Sequence, residues 1–138
     1  MTSLASRPFG TVGRLSNAAK WNVTGLVLTA AGMLLQIAAG SILYPSLTGP
    51  IILLAAAAFV AFGPVRWTPW VGLIVPLVLG VGAMIAAVMS GAFVSQLTDV
   101  SRVGILVGSL THVVGLTAAV IGGVGMLQVR RGTAGRGR

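Results

Sequence analysis

Four apolar stretches, separated by short polar or turn-forming segments, organise this chain. The first, Val23 to Leu43, runs 21 residues without a charged side chain. As a helix rising 1.5 Å per residue it covers ~30 Å, the hydrocarbon thickness of a bilayer. The third, Trp70 to Phe93, and the fourth, Val103 to Val129, are equally free of Asp, Glu, Lys and Arg and are long enough to cross at a tilt. The second has a strictly apolar part, Pro50 to Phe62, of only 13 residues, a length that also suits a re-entrant or interfacial segment.

Charge placement decides the second stretch. If it crosses, Arg7, Arg14, Lys20, Arg66, Arg130, Arg131, Arg136 and Arg138 share one side and Arg102 alone takes the other. If it does not, the cationic tail Arg130 to Arg138 emerges opposite the other cations, against the excess of Lys and Arg that cytoplasmic segments carry. The pattern therefore predicts an all-α polytopic membrane protein, a four-transmembrane-helix bundle with spans at about 23–43, 47–65, 70–93 and 103–129. Residues 1–21 form a basic cytoplasmic tail, 22–129 the membrane domain, and 130–138 a disordered Arg/Gly-rich cytoplasmic tail. With Arg far above Lys and Ala, Gly and Val abundant, the expected location is a bacterial plasma (inner) membrane, both ends cytoplasmic.

Local signals set the expected boundaries. Thr48-Gly49-Pro50 places a proline where the first helical turn has no amide hydrogen to lose, Gly63-Pro64 ends the second span, and Tyr44-Pro45-Ser46 ends the first. Trp21, Trp67 and Trp70 fall at the cytoplasmic interface, where an indole keeps its ring in the acyl boundary and its N–H in water. Val12, Leu15 and Ala19 mark one face of a short interfacial helix or belong to a disordered tail. Pro76 predicts a kink in the third span.

Composition changes the picture by exclusion. Of 138 residues, 56% are hydrophobic and 7% charged, against about 25% charged in a soluble domain. There is no cysteine, which removes disulfides and thiolate metal sites. Asp99 is the sole acid, which removes paired-carboxylate catalysis and hard-cation cages within one chain. No catalytic, cofactor-binding or metal site is read, and the chain is expected not to be an enzyme. Its cations suit anionic lipid headgroups rather than nucleic acid.

Helices in lipid associate by close packing, so small residues mark where backbones meet. Gly104, Thr111, Ala118 and Gly125 recur every seven residues in the fourth span, beside the line Gly108, Gly115 and Gly122, and together predict a packing groove that makes this helix central. The first span has Gly25, Thr29, Gly32, Gln36 and Gly40. The third has Gly80, Ala83, Ala87 and Gly91. The second has no comparable glycine groove and is expected at the periphery.

Two strongly polar side chains fall at membrane depth, where such groups are costly and mark function or helix contact. Gln36 and His112 are expected within ~3 Å of the same depth and form a candidate hydrogen-bonded pair. Ser109 and His112 lie three apart, as a nucleophile and base would, but no orienting acid or oxyanion hole is readable, and a buried serine more often bonds the carbonyl one turn back. The chain departs from small multidrug exporters, which carry a glutamate in the first span, since it has none. It departs from small fluoride channels, which carry a pore asparagine, since Asn17 and Asn22 lie before or at the first span. It resembles small bacterial four-helix membrane proteins, which implies architecture alone. The functional expectation is a non-enzymatic accessory or structural subunit packing against itself, as a homo-oligomer, or against a larger membrane complex. The alternative is a small oligomeric transporter or channel for a neutral or weakly polar solute, lined by Gln36, Ser109, Thr111 and His112.

Overall fold

In the computed structural model, which describes residues 15–40, 47–64, 66–91, 94 and 103–135, the chain forms four α-helices and no strand among those residues. Helix α1, Asn17–Ala38, begins where Ser16 accepts the Ala19 amide at its Oγ, 3.2 Å away, satisfying one of the open donors of the first turn. It ends at Ala39 and Gly40, the latter at φ +80°, a conformation glycine adopts without the Cβ penalty. The helix thus starts six residues before the predicted span and stops short of Leu43. Lys20 does not interrupt it, because an amphipathic lysine tolerates a helix even where it ends a hydropathic run. Tyr44, Pro45 and Ser46, the expected terminator, lie outside the described residues, as do Val12, Arg7 and Arg14.

Helix α2, Thr48–Phe62, carries Pro50 in its first turn and closes when the Gly63 amide donates to Phe59 O at 2.7 Å. The Pro64 to Trp67 turn leads into α3, Thr68–Met89, which has Pro69 in its first turn and continues as helix through Pro76. Gly91, at φ +65°, follows the end of α3, and Phe93 lies outside the described residues. Helix α4 runs Val103–Gly135. Its last residues correct the expectation of disorder from Arg130 onward: the arginines and their neighbours extend the apolar helix, arginine being a good helix former, as far as Gly135.

Each helix packs against the next, and α4 closes the ring on α1, while α1 and α3 touch little across the diagonal. The α1–α4 interface is the largest. α1 supplies two faces: Asn22, Gly25, Thr29, Gly32 and Gln36 toward α4, and Leu26, Ala30 and Met33 toward α2. The core lies largely between α1 and α2, where Leu53, Ala56, Ala57 and Val60 are all buried. This corrects the peripheral placement of α2, whose buried small residues are Ala56 and Ala57. It also shifts the centre toward α1, since α4 keeps Leu110, Val113, Val114 and Ile121 about 60% exposed.

The ring is antiparallel, with the start of α1, the α2–α3 turn and the far end of α4 together; Arg130 Nη1 donates to Arg66 O at 3.0 Å there. By length and composition α1 and α4 are long and apolar enough to cross a membrane, while α2 and the segment Thr68–Ala83 are shorter apolar helices.

Candidate functional site

The α1–α4 seam holds a single register along most of its length. Ala18 meets Gly125, Asn22 meets Gly122, Gly25 meets Ala119, Thr29 meets Gly115, Gly32 meets His112, Gln36 meets Gly108, and Ala39 meets Gly104. Between Asn22 and Gln36 each step of seven along α1 is a step of seven back along α4, a contact period of 3.5 residues, and at the two ends the match drifts by one residue. The glycines are required by distance. A Cβ at Gly115 would stand 2.5 Å from the Thr29 amide nitrogen, one at Gly32 would stand 2.6 Å from that of His112, and one at Gly108 would stand 2.7 Å from Gln36 Cγ. The two backbones touch along this line.

Of the predicted groove, Gly108, Gly115 and Gly122 are buried at the centre of this contact, alternating with Ile105, His112, Ala119 and Met126. Gly104, Thr111, Ala118 and Gly125 are half-buried along its margin. In α3 the contact falls earlier than expected. Thr68, Gly72, Pro76 and Gly80 are buried, with Leu116 filling the space beside Gly80, whereas Ala83 is half-buried and Gly91 exposed; the Ala87 side chain lies outside what is described.

Asn22 is the residue that sequence reasoning missed. It is fully buried and joins three helices: its Nδ2 donates to Gly72 O of α3 at 2.7 Å and to Ala119 O of α4 at 2.5 Å. The first bond has a specific cause. In a helix the Gly72 carbonyl pairs with the amide four residues on, and that residue is Pro76, which has no amide hydrogen. Asn22 supplies the donor that Pro76 lacks. The Asn22 Oδ1 is buried without a hydrogen-bond partner among the described residues and lies against Gly72, where a Cβ would approach it to 2.6 Å. Two signals pointed here: the series Gly25, Thr29, Gly32, Gln36 extends back by three to Asn22, and a proline inside an apolar helix leaves a carbonyl needing a donor.

Gln36 and His112 are both buried on the seam, at 3% and 8% exposure. The register sets Gln36 level with Gly108 and His112 level with Gly32, an axial offset of four residues, about 6 Å. They are neighbours along the seam rather than opposed, and among the described residues no hydrogen bond joins them. The expected equal depth fails because α1 ends at Ala38, so depths counted from Leu43 are displaced. Ser109 Oγ donates to Ile105 O at 2.8 Å, Thr111 Oγ1 to Val107 O at 2.9 Å, and Thr29 Oγ1 to Gly25 O at 2.7 Å; each hydroxyl is turned onto its own helix, one turn back. No group of three or more metal-ligating side chains occurs among the described residues, and Asp99 and Arg102 lie outside them.

Beside the seam, on the side away from α2 and α3, α1 and α4 leave an apolar groove of about 620 Å³ that runs past Trp21, Ala118, Ile121 and Gly125. Gln36, Ser109, Thr111 and His112 do not line it. Compared with known proteins, the chain matches no family model, no curated protein and no solved structure.

Proposed function

We propose that this chain is a four-span membrane protein with both ends cytoplasmic, acting as a non-enzymatic accessory or structural subunit that packs against other membrane helices. The observation that carries the reading is the surface. Large apolar side chains stand exposed on every helix, among them Val27, Ile51, Phe62, Val78, Ile85, Val114 and Ile121, a coat that water penalises and lipid does not. The cations among the described residues, Lys20, Arg66, Arg130 and Arg131, gather at one end of the ring, with exposed Trp21, Trp67 and Trp70 beside them. A cationic, tryptophan-bearing end on an apolar body is the pattern of a cytoplasmic interface. With 15 residues, α2 covers about 22 Å and spans by local thinning of the bilayer.

The polar side chains support packing over transport. Asn22 is engaged in a helix junction, Gln36 and His112 lie inside a backbone-to-backbone seam, and Ser109 and Thr111 bond their own helix. A solute path needs polar groups facing a shared opening. The test joins two measurements on the purified full chain. The accessory reading expects copurification in mild detergent with a membrane partner at fixed stoichiometry and silence in solute-flux assays after reconstitution. Flux that His112→Leu abolishes would overturn it in favour of the transporter.

A further inference from the structure

We infer that the groove between α1 and α4 holds an acyl chain of an anionic glycerophospholipid, with the lipid phosphate set between Lys20 and Arg131; this rests on the membrane reading above. The groove exists because the seam seats Gly108, Gly115 and Gly122 directly under α1 and leaves the neighbouring line of small residues at the margin. Its floor is Ala118, Gly122 and Gly125, and its walls are Trp21, Val114 and Ile121. At about 620 Å³ it lies within the ~300–1,000 Å³ of small-molecule sites. From Val113 to Gly125 it extends about 18 Å along α4.

Shape and charge select the occupant. Trp21, 63% exposed, stands at the cationic end of the groove, where a bulky ring obstructs the close seating of another helix backbone but leaves room for a single thin chain. An indole at this level also sits where headgroups meet acyl chains. Lys20 adjoins Trp21 in sequence, and Arg131 lies about 9 Å beyond Gly125 along the α4 axis; both are exposed. Arg130 is turned the other way, onto Arg66 O. No acidic side chain occurs among the described residues, so a slot of apolar lining opens at a purely cationic mouth. An amphiphile with a negative head complements both parts, and each basic residue near the surface favours it by about fivefold.

The test uses the full chain with Trp67→Phe and Trp70→Phe, leaving Trp21 as the only indole, in phosphatidylcholine vesicles containing either brominated phosphatidylglycerol or brominated phosphatidylcholine, whose bromines quench a neighbouring indole. Phosphatidylglycerol is expected to quench Trp21 at lower mole fraction than phosphatidylcholine. Lys20→Gln and Arg131→Gln should each reduce that preference about fivefold, and Ala118→Leu, which fills the floor and keeps both cations, should remove the site while the protein stays in the vesicles. Equal quenching by the two lipids in the unchanged protein, or a preference that survives both Ala118→Leu and the double Lys20→Gln, Arg131→Gln variant, overturns the inference and leaves the membrane reading standing. A chain that fails to float with the vesicles overturns both.

Discussion

Replacing Asn22 by leucine, a side chain of similar size, removes the donor to Gly72 O and Ala119 O. The two losses are unequal. Ala119 O has the Gly123 amide available four residues on, so its share is about 0.6 kcal/mol, the average for side-chain hydrogen bonds between membrane helices. Gly72 O has only Pro76 there, and a buried carbonyl left open costs about 1–3 kcal/mol. Asn22→Leu is therefore expected to destabilise the bundle by about 2–3 kcal/mol. Pro76→Ala restores an amide hydrogen at the position that serves Gly72, so in that background Asn22→Leu should cost under about 1 kcal/mol. The predicted coupling is about 1–2 kcal/mol, outside the ~0.3–0.5 kcal/mol within which independent changes add. Unfolding midpoints of the four variants in mixed micelles, followed by circular dichroism or by Trp67 and Trp70 fluorescence, give the cycle. If Asn22→Leu costs the same with proline and with alanine at position 76, the account of Asn22 as the donor for the proline-orphaned carbonyl is wrong.

Two other perturbations probe the seam. Gly115→Ala drives a methyl into the Thr29 backbone and should cost about 1–3 kcal/mol in the same assay, as overpacking does, whereas Gly82→Ala, with open space around it, should stay within about 1 kcal/mol of the unchanged chain; equal effects would refute the close approach. Gln36→Leu should cost the same within about 0.5 kcal/mol whether position 112 is histidine or leucine, because their backbones lie one turn apart in the seam register, and a coupling above about 1 kcal/mol would establish direct contact.

The residues that sequence made legible are those whose signal is periodic and local. The series Gly25, Thr29, Gly32, Gln36 and the line Gly108, Gly115, Gly122 carry a seven-residue repeat, and the structure places them face to face. What stayed hidden depends on partners. Asn22 falls at a boundary in hydropathy, which senses where charge ends, at Lys20, whereas the helix starts at the Ser16 cap. The contact face of α2 carries no glycine signal, since Ala56 and Ala57 pack between Leu53 and Val60. The small residues of the second half of α3 carry the sequence signal, yet contact is made at Gly72, with Asn22, Gly123 and Met126 opposite, and at Gly80, with Leu116 opposite. No spacing within α3 reports which neighbour it meets.

Everything proposed for this chain depends on the proposed topology, in which it crosses the bilayer four times and returns both ends to the cytoplasm. Single cysteines at Thr48→Cys and Thr133→Cys can be introduced without background, since the chain has no thiol, and exposed to a membrane-impermeant thiol reagent in intact cells. Labelling of Thr48→Cys in intact cells, with Thr133→Cys labelled only after lysis, is the predicted result; labelling of Thr133→Cys before lysis would contradict it.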